Sequence, residues 1–368
     1  MKLAVVAGEA SGDLHAGEVI RELKHLDPQL ETFGIGGDQM QQQGTRLLHH
    51  AREMGIVGLF NVIRHLGMFR RVFRELLDEI RKEKPDAVLL VDYPDFNLRV
   101  AKKAKEMGLR VIYYISPQIW AWRRGRVKHI AKYVDHMIVI FPFEEDFYRE
   151  HKVPVTYVGH PLVEQLAAVK PGRRKAGVTR IALLPGSRRM EVNALLPAML
   201  DAIAILKREQ DVEAFVIQAP TISRAEIEGV PQWGAAALGG VVIVPHDRGE
   251  ALASADVALS SSGTATLESA VVGTPVVVMY RLSPMTYRIA KWLVRLPHFS
   301  LVNIIAGRKI VPELLQHEVT GHKIAASVRD LLANRDKVRG ELALVRGKLG
   351  ESGASRRAAE AIMSVVRG

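Results

Sequence analysis

Short runs of β-branched and aliphatic residues alternate with longer amphipathic stretches from one end of this chain to the other, and few folds accept that pattern. In the first half the strand-like runs are residues 3–7, 32–35, 87–91, 110–115, 136–141 and 156–158, with helical patterns over 14–26, 60–84 and 98–107. The second half repeats the scheme with runs at 181–184, 214–218, 241–244, 257–259 and 276–279. Strands so continuously apolar are buried on both faces, as a parallel sheet between helical layers requires. The spacing therefore predicts an α/β protein of two doubly wound, Rossmann-like domains facing one another across a cleft. Ligands are expected beyond the carboxyl ends of the strands. The break falls near residues 170–179, a polar, turn-prone stretch with Pro171, Gly172, Gly177 and four basic residues. The expected domains are thus 1–170 and 171–350, followed by residues 351–368.

Of the 368 residues 48% are apolar and 25% charged, which suits a globular core and excludes a disordered, collagenous or coiled-coil chain. There is no cysteine, so disulfides, thiol catalysis and zinc–thiolate sites are excluded. The formal net charge of +11 favours acidic partners: nucleic acid, anionic lipid or phosphorylated substrates. No apolar run is long enough to span a bilayer, and residues 1–7 read as a strand rather than a secretory leader. Residues 58–74 mix bulky apolar side chains with Arg64, His65, Arg70, Arg71 and Arg74 and hold no acidic residue. Residues 287–295 do the same. Such segments fit an interfacial helix on anionic lipid; a core-facing helix with a basic outer face is the plainer alternative.

Five strand-to-helix turns carry the chemistry. Gly8-Glu9-Ala10-Ser11-Gly12-Asp13 lets a backbone approach a ligand and offers helix N–H groups to an anion, though Ser11 or Asp13 could simply cap the helix. Asp92-Tyr93-Pro94-Asp95-Phe96-Asn97 sets two carboxylates three positions apart at a strand end, suited to general-base work. Spacing does not choose between Asp92 and Asp95, and either Asp95 or Asn97 could be an N-cap. Ser116-Pro117-Gln118-Ile119-Trp120-Ala121-Trp122-Arg123 brings indoles beside basic groups that could stack on a sugar and hold a phosphate. Gly186-Ser187-Arg188 and Ser262-Gly263-Thr264 with Glu268 form two further anion-type turns in the second half. Together these suit a nucleoside diphosphate, with Glu268 accepting from a ribose. No spacing suggests a metal site, and no Gly-x-Ser-x-Gly elbow suggests a serine hydrolase.

These motifs, with Val158-Gly159-His160-Pro161, Leu301-Val302-Asn303-Ile304-Ile305-Ala306-Gly307 and Val311-Pro312-Glu313-Leu314-Leu315-Gln316, follow one another in an order that resembles the bacterial lipid-A-disaccharide synthases almost end to end. Tyr93, where many relatives carry alanine, is a small departure that leaves both carboxylates in place. The resemblance implies a B-type glycosyltransferase fold with UDP bound mainly by the second domain. It implies inverting transfer of 2,3-diacylglucosamine from UDP to 2,3-diacylglucosamine 1-phosphate, giving the β-1,6-linked disaccharide of lipid A. Its site residues would be Asp95 or Asp92 as base, Arg188 on the departing UDP, and Glu9, Ser11, Gly12, Trp120, Arg123, Gly186, Ser187, Ser262, Gly263, Thr264 and Glu268 around the substrates. Asn303, Glu313 and Gln316 would line the diphosphate or base. It also implies no cofactor, no catalytic metal and no nucleic acid. The enzyme would work at the cytoplasmic face of the inner membrane, and its last helix would cross back to the first domain. A homodimer formed by exchange of C-terminal parts occurs in some relatives. The rival readings are another B-type transferase or a sugar-nucleotide epimerase on the same scaffold, and a non-catalytic binder of anionic lipid or nucleic acid.

Overall fold

The computed structural model describes residues 1–55, 62–121, 124–172, 177–283, 287–288 and 297–368, with the backbone alone at 55, 62–66 and 124. The chain divides into two compact units, Met1–Pro161 with Gly350–Gly368, and Leu162–Leu349.

The first unit is built on seven parallel strands: β1 (Lys2–Ala7), β2 (Glu31–Gly36), β3 (Arg46–His50), β4 (Ala87–Val91), β5 (Arg110–Tyr114), β6 (His136–Val139) and β7 (Val155–Tyr157). Their order is β3-β2-β1-β4-β5-β6-β7, with β1 pairing in parallel to β2 on one side and β4 on the other. All five residues of β4 are buried, because helices cover both faces of the sheet. The helix Ala10–Leu26 buries Ala16, Val19, Ile20 and Leu23, a single stripe at helical spacing. The last helix, Ala354–Arg367, lies against it with Ala354, Ala358, Ala359 and Ile362 buried. Ser355 Oγ reaches Glu18 at 3.4 Å, and Arg357 Nε donates to the Val158 carbonyl at 2.8 Å.

The second unit holds β8 (Thr179–Leu184), β9 (Val212–Ile217), β10 (Val242–Val244), β11 (Val257–Ser261), β12 (Val276–Tyr280) and β13 (Glu313–Leu315). These six are also parallel, in the order β10-β9-β8-β11-β12-β13. Each sheet therefore changes winding direction once, between β1 and β4 in one unit and between β8 and β11 in the other. At such a point the two loops leave to opposite sides and open a crevice at the strand ends. The predicted strands are present with ends shifted by a residue or two, and β3 and β13 are additional edge strands. Among the described residues no helix is long and apolar enough to cross a membrane.

The segment expected to face lipid is described in part. Residues 58–61 and 289–295 lie outside the described residues, and nothing is said of the side chains at 62–66. Further along the helix Val62–Glu83, Val72 is buried in the first unit's core and Met68, Phe69 and Phe73 pack against it, while Arg70, Arg71 and Arg74 are exposed. Over 68–74 the apolar face is thus a core face, and the membrane-facing expectation is corrected there.

Candidate functional site

Asp92 stands just past β4, at the point where the first sheet changes direction, beside the turn that follows β1. It and Tyr93 are consecutive non-glycine residues in left-handed backbone, φ 47° and 50°. Each such residue costs on the order of 1–3 kcal/mol and persists only where neighbours over-determine it. Here they do. The Asp92 N–H donates to the Tyr114 carbonyl at 3.0 Å, and the Asp92 carbonyl accepts from the Tyr113 phenol at 2.6 Å and from Asn97 Nδ2 at 2.7 Å. The same Asn97 amide reaches the carbonyls of Val91 and Val6, tying β4 to β1. Tyr93 lays its ring over Gly8, where an added Cβ would fall 2.4 Å from a ring carbon. Glycine at that position is what the ring requires.

This frame gives the two carboxylates different characters. The Asp92 carboxyl is pushed up to about 6, first by burial and then by the nearby Glu9, with the Tyr93 N–H and His15 pulling the other way. Asp95 is exposed and forms an ion pair with Arg126. Glu9 is the extended N-cap of Ala10–Leu26, and no side chain caps that helix; Ser11 is exposed and Gly12 is buried in its first turn. Asp13 does not cap its own helix. Buried, it accepts the N–H groups of Gly37, Gln39 and Met40 at 2.6, 3.0 and 3.1 Å, and so holds the start of the next helix, Asp38–Gln42. Nor are Asp95 and Asn97 N-caps, since Tyr93 occupies that place in Pro94–Glu106. Removal of the Asn97 amide takes a donor from three backbone carbonyls, of which that of Asp92 keeps the Tyr113 phenol. Asn97→Ala is expected to cost about 1–3 kcal/mol, read as a lowered Tm, with activity falling further than stability because the Asp92 turn relaxes.

In the second unit, β8 leads through Pro185 and Gly186 to Arg188, the N-cap of Arg189–Leu206. The turn already holds an anion: Glu191 Oε2 accepts the Ser187 N–H at 2.9 Å and Oε1 accepts from Arg188 Nη1 at 2.8 Å. Gly186 has φ 127° and an added Cβ there would lie 2.3 Å from Glu191 Oε2, so only glycine accommodates the arrangement. The groups at Ser187 and Arg188 expected to meet a phosphate are thus held by the chain's own carboxylate. From β11, Ser262 donates Oγ to the Phe299 carbonyl at 3.2 Å. Gly263 is the N-cap of Thr264–Val272, which no side chain caps, and Thr264 is exposed. Glu268 lies one turn in, with Arg248 3.8 Å away.

Other expected ligand contacts are corrected by burial. Trp120 is in the core, edge-on to Phe143 with centroids 4.7 Å apart, and its Nε1 donates to Glu144 at 3.1 Å. The Glu144 carboxyl is itself pushed up to about 8 by complete burial. The indole face is therefore spent and unavailable to a sugar. Arg123 and Trp122 lie outside the described residues. Asn303 is wholly buried; its amide donates to the Val311 carbonyl and to Glu313, and its Oδ1 accepts the N–H groups of Ile310 and Val311. Glu313 accepts the Ser300 N–H at 2.9 Å, and Gln316, at φ 56°, pairs its amide with the backbone of Leu282. These three hold the loops beside β12 and β13 rather than offering free groups. Sequence reasoning missed Tyr113 and Arg248, which no motif flags, and gave no role to Glu191, although it sits in the run that holds Arg188.

Residues 3–364 match the family described as lipid-A-disaccharide synthetase. A lipid-A-disaccharide synthase from Myxococcus xanthus is 42% identical over 376 residues, covering 99% of this chain and 97% of the relative. Among solved structures, the glycotransferase of kitacinnamycin is similar with TM-score 0.67 and 17% identity, covering 99% of this chain and 98% of that one. A UDP-GlcNAc 2-epimerase from Neisseria meningitidis bound to UDP-GlcNAc is similar with TM-score 0.65 and 12% identity, covering 99% and 100%. At those identities the structural likenesses speak for the fold alone.

Proposed function

The chain belongs to the lipid-A-disaccharide synthases, glycosyltransferases of the B-type fold, and from that premise we propose that it transfers 2,3-diacylglucosamine from UDP to the 6-hydroxyl of 2,3-diacylglucosamine 1-phosphate with inversion. The observation that carries this reading is Asp92. A carboxylate at a strand end, on strained backbone fixed by Asn97 and Tyr113 and with its acidity tuned to about 6, is what a general base at neutral pH requires.

In the proposed reaction Asp92 takes the proton of the acceptor's 6-hydroxyl as its oxygen attacks the anomeric carbon. The carbon–oxygen bond to UDP breaks from the opposite face, and an α-linked donor becomes a β-linked product. Asp92 rather than Asp95 is the base, because Asp95 is exposed and already paired with Arg126. Negative charge grows on the departing pyrophosphate. The Arg188 guanidinium and the uncapped start of Thr264–Val272 stabilise it there, fixed dipoles and charge aimed at the place where charge develops. Glu191 gives up Arg188 and the Ser187 N–H as the pyrophosphate arrives, one anion exchanged for another. Glu268 accepts from the ribose hydroxyls. Both substrates carry acyl chains, so the reaction belongs at a membrane face, and the chain's net charge of +11 favours an anionic one.

The test is UDP formation from UDP-2,3-diacylglucosamine dispersed in detergent. UDP is expected to appear only when 2,3-diacylglucosamine 1-phosphate is added, and to persist in EDTA. Conversion of the UDP-sugar without an acceptor would identify an epimerase or hydrolase instead, and binding of both substrates without turnover would identify a binding protein.

A further inference from the structure

Glu268, assigned above to the ribose, is faced by a residue from another strand end. Arg248 opens the helix Arg248–Ala253, just after a left-handed Asp247 at φ 52° turns the chain. Its Nη2 stands 3.8 Å from Glu268 Oε2. Its Nε is buried and has no hydrogen-bond partner. A buried donor left unsatisfied works against stability, so the fold alone does not account for this arginine. The requirement lies with Glu268. A vicinal diol donates two hydrogen bonds to one carboxylate only if both oxygens are free acceptors, and a protonated carboxyl has turned one of them into a donor.

We propose that Arg248 is a positioning residue of the nucleotide site, holding Glu268 as an ionised, two-oxygen acceptor for the vicinal diol of a nucleoside diphosphate. The proposal rests on the nucleotide reading of this turn and goes beyond it by naming what keeps the carboxylate competent. Burial pushes the Glu268 carboxyl above the usual carboxylate range, and Arg248 is the charge that draws it back. The elements packed against Thr264–Val272 carry the following groups. Helix Leu301–Ala306 has no titratable side chain. On Arg335–Lys348, Arg335 pairs with Asp256 at 2.7 Å, Glu341 with Arg308, and Lys348 donates to the Ile305 carbonyl at 3.0 Å; Asp336, Lys337, Arg339 and Arg346 are its other charged residues. Glu250 is a like charge on Arg248's own helix, and Tyr280 ends β12 with its phenol raised mainly by burial.

Calorimetric binding of UDP to the full chain, at pH 6.0 and 8.5, tests the proposal without acyl substrate. Each variant is expressed as a ratio to wild type at the same pH, which cancels the titration of UDP itself. Arg248→Gln is expected to bind UDP more weakly than wild type at pH 6.0, by no more than about tenfold for each pH unit by which loss of the charge raises the Glu268 carboxyl. At pH 8.5, where a carboxyl raised by burial is more fully ionised, the ratio is expected to move toward one. Arg248→Lys, which keeps the charge, is expected to stay near wild type at both values, and it serves as the measured variant should the glutamine protein not fold. Loss of the same size at both pH values, or no loss at either, overturns the proposal. Glu268→Ala binding UDP like wild type would instead overturn the nucleotide reading, so the two failures are separable.

Discussion

Asp92→Asn is expected to leave a folded protein whose turnover is lower by about 10²–10⁴, the range a positioned general base contributes. Asparagine keeps the size of the side chain, and its amide oxygen can still accept the Tyr93 N–H, so the strained turn and the bonds from Asn97 and Tyr113 to the Asp92 carbonyl survive. What is lost is the proton acceptor. The wild-type pH profile carries the same signature. With the carboxyl near 6, kcat/KM is expected to be flat in this group's titration above about pH 7 and to fall about tenfold per unit well below 6, as the base protonates. That limb should vanish in the variant. The linkage to stability has the opposite sign. A carboxyl whose folded pKa is raised above its unfolded value of 3.8 is bound more tightly to its proton in the folded state, so it withdraws stability as pH rises through 6. At neutral pH the variant's Tm is therefore expected to equal or exceed that of wild type. Asp95→Asn, which breaks an exposed ion pair with Arg126, is expected to cost less than about tenfold. A variant at position 92 with near-normal turnover, or a preserved acid limb, would remove Asp92 from the mechanism.

The central strands were legible in the sequence because burial on both faces leaves no room for alternation; β1, β4, β8 and β11 hold the apolar runs 3–7, 87–91, 181–184 and 257–259. The edge strands were not. β3 is only half-buried and ends in His49 and His50, and β13 is three residues beginning with Glu313. Both borrow their order from a neighbour rather than from their own pattern. The turns at which ligands are expected were equally readable, since a glycine or a small hydroxyl between an apolar run and a helix has few other uses. Which atoms in those turns remain available was beyond reach. Asp92 and Asp95 are equivalent by spacing, and the left-handed backbone, the burial and the pairing of Asp95 with Arg126 separate them. Trp120 and Asn303 look like ligand contacts in their motifs, yet each spends its polar atoms on a buried partner. A motif marks where the chain must be of a given kind, and the partners of Trp120, Asn303 and Glu313 are core and loop groups.

Arg188→Ala separates stability from chemistry more sharply than any other substitution in this chain. The side chain is 75% exposed and its ion pair is a surface pair with Glu191, three residues away on the same helix turn. Such a pair contributes roughly 0–1 kcal/mol, so unfolding is expected to shift by no more than about 0.5 kcal/mol, read as an unchanged denaturation midpoint. The loss of one preorganised charge at a developing oxyanion is a different quantity, on the order of 10²–10³ in rate, or about 3–4 kcal/mol of barrier. Because the charge on UDP grows as the sugar leaves, most of that loss is expected in kcat, with donor KM changing by less. Arg188→Lys is expected to recover part of it, since an ammonium keeps the charge but not the two-pronged geometry that a pyrophosphate can use. Measured together, these variants test whether the guanidinium acts in the chemistry. If Arg188→Ala keeps turnover within tenfold while donor KM rises sharply, the arginine only recruits the donor. The departing charge would then be borne by the backbone N–H groups at the starts of Arg189–Leu206 and Thr264–Val272.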